Sequence, residues 1–244
     1  MKKIAVLIGN SRGLPSTSKD LLDFYTYLTS PQGGAWEPTT EIISMVDKPV
    51  SEISDVLSKI RGQYQYVVIY FTGHGGTESG TILEVNPQNE RLLEPEILGL
   101  SRKQINILDC CRSSVSGGVA IYESHDSITD DVRNVVRQEY DELIENSAEQ
   151  QVLIYSCEEG KPSYSLPGGN SIFTKCLLDA SEDMLKTTDV VRIYDVFALA
   201  AQQTALAAKK LLVEQHPEIV PAKCLSTLEL PFCFNPKCLK SNNG

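Results

Sequence analysis

The stretch "YVVIYFTGHGG", residues 66–76, decides the reading of this chain together with "INILDCCRSS", residues 105–114. Each begins as an apolar run of strand length, rich in β-branched and aromatic residues, as expected of a strand buried on both faces. Each then ends abruptly. The first stops on glycines around His74, and the second on Asp109, Cys110 and Cys111. The carboxyl ends of parallel strands are where open α/β sheets gather their functional groups, near the point where the strand order reverses. Reactive residues at two such ends therefore raise a chemical question.

Working outward, strand-like and helix-like segments alternate. "KIAVLIG" (3–9), "TEIISMV" (40–46), "YQYVVIYFT" (64–72), "QINILD" (104–109) and "QVLIYSC" (151–157) read as strands, with "LSTLELPF" (225–232) as a last one. "SKDLLDFYTYL" (18–28), "VSEISDVLSKI" (50–60), residues 127–146, "NSIFTKCLLDA" (170–180) and residues 190–215 read as helices. "GTILEVN" (80–86) reads as a hairpin arm, and "EPEILGL" (94–100) as a turn or two of helix. The alternation predicts an α/β fold: a mostly parallel central sheet of about six strands with helices on both faces. No repeat, low-complexity tract or shift in composition marks a boundary, so residues 1–244 read as a single domain.

With 41% hydrophobic and 22% charged residues the chain can bury an ordinary core. Its net charge of −10 argues against nucleic acid or an anionic membrane as the main partner. No window approaches the 18 or so apolar residues of a membrane span. The seven cysteines follow no repeated framework, and the opening "MKKIAVLIGN" is too short in apolar residues for a secretory signal. The expectation is a cytoplasmic protein with free thiols.

A thiol becomes an effective nucleophile only with a base or cation nearby, because the thiolate is the reactive form. If the two strands are neighbours, His74 and Cys110 or Cys111 emerge at one edge, with glycines that let backbone amides approach a reacting carbonyl. A lone histidine after a strand is more often structural, and a lone strand-end cysteine is more often an inert small hydrophobe. The pair on consecutive strand ends favours catalysis.

These blocks resemble the caspase and metacaspase group of cysteine peptidases (peptidase C14-like), of prokaryotic type. An apolar strand followed by "GHG" and another followed by "D-x-C" are similar to that group's catalytic blocks. "YSCEEGKPSYSLPGGNSIFTKCLL" resembles the segment that lines its cleft, and "AVLIGN" its first strand. The resemblance runs from about residue 3 to 180 and implies a caspase-like sandwich and a cysteine endopeptidase. By its motif Cys111, two residues after the acid, is the nucleophile and Cys110 a bystander. His74 protonates the leaving amine, and the N–H groups of Gly75 and Cys111 hold the oxyanion. Two features depart from the pattern. Arg112-Ser113-Ser114 stands where metacaspases usually have His-Ser-Gly, and His74 precedes Cys111 by 37 residues rather than the roughly 50 of caspases.

The same resemblance places Asp109 in the primary specificity pocket, with Glu158 and Glu159 as a second acidic wall. It implies cleavage after Arg, with Lys second. The competing reading makes Arg12 the basic pocket residue of an Asp-specific enzyme. Segment 113–150 corresponds to the inter-subunit linker, in which Arg133 and Arg137 are candidate processing sites. Asp126, Asp130 and Asp131 offer a Ca²⁺ site without EF-hand spacing, and no cofactor is required. The partners implied are a protein substrate and an activating protein or upstream protease, in a bacterial stress or anti-phage defence pathway. A catalytically silent scaffold and a nucleotide-binding α/β protein are the rival classes, although "LIGNSRG" is not a G-x-G-x-x-G loop. Cys233 and Cys238, with Cys224, give half a zinc spacing without a second pair. His216 reads as a contact at a helix end, and His125 as a loop residue.

Overall fold

A computed structural model describes residues 1–113, 130–220 and 224–236, with backbone alone at 130–132. In chain order the elements are β1 (Lys3–Gly9), α1 (Pro15–Thr29), β2 (Ile42–Val46), α2 (Val50–Ile60), β3 (Tyr66–Thr77), β4 (Thr81–Glu84), β5 (Arg91–Leu93), α3 (Glu94–Ile97) and β6 (Lys103–Cys110). They continue with α4 (Asp130–Glu145), β7 (Gln150–Tyr155), α5 (Ile172–Met184), β8 (Val190–Arg192), α6 (Ile193–Lys210), β9 (Glu218–Val220) and β10 (Pro231–Phe234). The central sheet runs β2-β1-β3-β6-β7-β9. Its first five strands are parallel, and β9 is antiparallel to β7.

Strand periodicity divides the core between the two faces, because successive side chains point to opposite sides. On one face Ala5, Leu7, Tyr66, Val68, Tyr70, Ile105 and Ile107 pack under α1, α4, α5 and α6. On the other, Ile4, Val6, Ile8, Val67, Ile69, Phe71 and Leu108 pack under α2 and α3. The strands are buried on both sides, which is why they read as unbroken apolar runs.

Several boundaries differ from expectation. β3 does not stop at Thr72; it continues through His74 to Thr77, because β4 pairs with this extension in an antiparallel ladder. The stretch 225–232 is not a strand of the central sheet. Ser226–Leu228 form a 3-10 turn, and β10 pairs with β8 in a separate two-stranded ribbon. The sixth strand is instead β9, three residues between Pro217 and a second proline, too short to show alternation. The helix expected over 190–215 starts with the three residues of β8 and ends at Lys210. Leu212 then turns to a positive φ of 60°, so His216 lies beyond any helix end.

A candidate thiol–imidazole active site

The strand order reverses between β1 and β3, and the loops leaving their carboxyl ends open the crevice expected at such a switch point. β3 and β6 are parallel neighbours, with Thr72 opposite Asp109 and Gly73 opposite Cys110. The β3–β6 ladder ends there, so His74 and Cys111 each follow the last paired residue of their strand, His74 in the part of β3 that pairs with β4 and Cys111 just past β6. Alternation then decides between the two cysteines. His74 shares the α1/α5 face with Tyr70 and Thr72, and Cys111 shares it with Ile107 and Asp109. Cys110 points the other way into the opposite core, 2% exposed.

His74 is 6% exposed, and its Nε2 lies 2.5 Å from the backbone oxygen of Arg12, in the loop after β1. A carbonyl can only accept, so Nε2 carries the hydrogen, which leaves Nδ1 as the ring nitrogen available for proton transfer. This third group escapes sequence reading because it is a main-chain atom. Gly75 follows against β6. A Cβ there would come within 2.6 Å of Cys110 Sγ and 2.8 Å of the Cys111 carbonyl oxygen, so only glycine fits.

The Cys111 thiol is partly buried, and burial pushes its pKa up. The backbone of Ser163 opposes this, and the carboxylate of Asp109 adds to it. The resting sulfur is therefore a thiol that needs a base. The Ser163 amide hydrogen points at Cys111 Sγ from 3.4 Å, while the Ser163 hydroxyl donates to Asp109 Oδ1 at 3.1 Å. One residue thus touches both the sulfur and the carboxylate beneath it.

Asp109 is 3% exposed and accepts from the hydroxyls of Ser163, Ser171 and Thr174 and from the Thr174 amide. Beside it sits Asp20 of α1, fully buried, accepting from the Thr72 hydroxyl at 3.2 Å and the Ser171 amide at 3.0 Å. Sequence reading missed Asp20. The signal was there: it falls on the inward face of α1 with Thr17, Leu21, Phe24 and Leu28. A carboxylate at a core position of an amphipathic helix needs a reason.

Burial, and then the neighbouring charge of Asp109, push Asp20 up from 3.8 to about 8 against its hydrogen bonds. Folded Asp20 keeps its proton where the unfolded chain has lost it. This group's contribution to stability is complete below about pH 4 and is lost as pH rises through about 8. Asp20→Asn cannot ionise. Its melting temperature is expected to fall less than the wild type's between about pH 5 and pH 8, as thermal unfolding at the two pH values will show.

The family model for the caspase domain, Peptidase C14, matches residues 2–225. The chain belongs to the caspase-domain family. In fold it is similar to caspase-1 from Spodoptera frugiperda, with a TM-score of 0.57 and 12% identity, over 89% of this chain and 85% of that one. No curated protein matches the sequence.

Within this caspase domain the other expected residues are scattered. Glu158 is half-buried and Glu159 exposed, on the loop after β7. Arg12 is exposed, and its guanidinium donates to the Asn89 side chain, on the loop between β4 and β5. Arg133 and Arg137 lie in α4. Arg133 donates to the Trp36 carbonyl at 3.1 Å, and Arg137 forms a two-pronged pair with Glu41 at 2.7 and 2.8 Å. Cleavage at either would require α4 to open. Asp126, His125 and Cys238 lie outside the described residues, as do the side chains of Asp130 and Asp131. Cys233 is buried in β10, its thiol 3.7 Å from the Ser181 carbonyl oxygen. Among the described residues no group of three His, Cys, Asp or Glu could hold a metal, and no helix is long and apolar enough to cross a membrane.

Arg112 has a larger role than its sequence position suggested. It is 7% exposed, pairs with Glu218 of β9 at 2.6 Å and stacks 3.9 Å over the Tyr155 ring. It therefore ties the residue after Cys111 to two strands.

Proposed function

We propose that this caspase-domain protein is a cysteine endopeptidase that cuts after Arg, and second after Lys, with Cys111 as nucleophile and His74 as acid and base. His74 Nδ1 takes the Cys111 proton as sulfur attacks the scissile carbonyl, then returns it to the leaving amine. Water hydrolyses the acyl-enzyme. The N–H groups of Gly75 and Cys111 stabilise the oxyanion, a role supported by the tight seating of Gly75 against the Cys111 carbonyl.

The observation that carries the specificity is the carboxylate pair. Asp109, two residues before the nucleophile, and Asp20 of α1 are both buried, and the hydrogen bonds described above reach them from hydroxyls and backbone amides rather than from a cation. A substrate guanidinium fits this arrangement, because it brings donors and the missing charge together. The Asp-specific alternative would need Arg12 in the pocket, and its side chain is turned to Asn89 instead. Regulation by a protein partner, an upstream protease or Ca²⁺, processing at Arg133 or Arg137, and a place in bacterial stress or anti-phage defence belong to this reading through the family resemblance.

The test is a panel of fluorogenic peptides differing only at P1 (Arg, Lys, Asp, Leu), with and without Ca²⁺. Arg-selective turnover is expected. Its KM is expected to fall as pH rises toward 8, because the bound cation favours the ionised pair. Asp-selective turnover would overturn the pocket. A protein that neither turns over any peptide nor reacts with a thiol-directed peptidyl probe would instead be a scaffold.

A further inference from the structure

The carbonyl that holds His74 belongs to a loop whose conformation is set by side chains far from the reacting atoms. All three backbone amides of residues 10–12 are pinned. Asn10 N–H donates to the Thr72 carbonyl at 3.1 Å, Ser11 N–H to Asp47 Oδ1 at 2.8 Å, and Arg12 N–H to Asn10 Oδ1 at 3.1 Å. Asp47 takes a second bond from the Ser11 hydroxyl at 2.6 Å, and its own amide donates to the Gly9 carbonyl at 2.8 Å. To do so it adopts a φ of 55°, a left-handed conformation that a non-glycine residue keeps only when its surroundings demand it.

Asn10 is fully buried and also donates to the carbonyls of Glu84 and Asn86, so it serves the fold as well as the loop. Asp47 is different. Its side chain is half-buried and accepts both hydrogen bonds from Ser11. It comes from the loop after β2, on the far side of β1 from His74.

We infer that Asp47 is a positioning residue for the acid–base step: by clamping Ser11 it aims the Arg12 carbonyl at His74 Nε2 and so keeps Nδ1 facing the nucleophile. The inference rests on the reading of His74 as the general acid and base. A main-chain carbonyl cannot be deleted by mutation, which makes Asp47 the handle on it. With the clamp gone, the substrate pocket at Asp20 and Asp109 is unchanged, while the imidazole loses its fixed angle. A misplacement of this kind costs rate rather than binding.

The experiment compares full-length wild type, Asp47→Ala, Asp47→Asn and His74→Ala on an Arg peptide, with thermal melting of each. Asp47→Ala is expected to lower kcat by about 10- to 100-fold with KM within about threefold. Asp47→Asn should recover most of the loss, since its amide oxygen still accepts from Ser11 N–H. If the resting protein turns over no peptide, the same order is expected in the rate of Cys111 alkylation by iodoacetamide. Wild-type behaviour of Asp47→Ala where His74→Ala is dead would overturn the role of Asp47. So would a loss spread over kcat, KM and melting temperature that Asp47→Asn does not rescue. Activity that survives His74→Ala would instead remove the dyad itself.

Discussion

Cys111→Ala is expected to lower peptide turnover by about 10⁴-fold or more with a melting temperature close to the wild type's, and Cys110→Ala to keep turnover and lose stability. The two residues are chain neighbours with opposite surroundings. Cys111 shares the side of Asp109, its sulfur against the amide of Ser163, whose hydroxyl also holds that carboxylate. In the proposed reaction the sulfur forms the acyl-enzyme, and little packing goes with its removal. Cys110 points into the other core beside Leu108, and burial drives its thiol well above the usual range, so it is chemically inert. Truncating it leaves a small void and costs about 1 kcal/mol of stability. Turnover assays and thermal melts of both variants check the pair. Activity retained in Cys111→Ala and lost in Cys110→Ala would reverse the assignment.

Asp109→Asn is expected to lower kcat/KM for an Arg peptide by about 10²–10³-fold, the effect of removing one charge from a buried, hydrogen-bonded ion pair. The amide is close in shape and keeps one oxygen for the Ser171 and Thr174 donors, so the fold survives. It also removes the charge that helps to push Asp20 up, so Asp20 ionises more easily and the pH dependence of stability shifts with it. Alkylation of Cys111 by iodoacetamide, which uses no pocket, should not fall, because losing the Asp109 charge only eases ionisation of the thiol. That contrast separates lost recognition from lost chemistry. Equal loss in both assays would mean that Asp109 supports the nucleophile rather than the substrate.

The candidate site was legible in the sequence where a single reactive residue type follows an apolar run. His74 and Cys111 stood out because reactive groups broke two apolar runs. Asp109 stood out through its place two residues before the thiol. Asp20 did not stand out, although its place on the apolar face of α1 was visible; what it pairs with depends on the sheet beneath. The Arg12 carbonyl and the Asp47 clamp carry no sequence signal. One is a main-chain atom, and the other acts across two strands.

The fold divides the same way. Five parallel strands and the helices between them could be read off because each buries a long, periodic face, and that periodicity is local. β9 and β10 could not, since strands of three or four residues are defined by their partners. The sequence by itself determined an α/β fold with a histidine and two cysteines following apolar strand runs. The motif resemblance pointed to Cys111, and the structure adds that Cys110 is turned into the opposite core. Tertiary structure alone brought Asp20 to Asp109, residues 89 positions apart in the chain, because only packing of α1 on the sheet closes that distance.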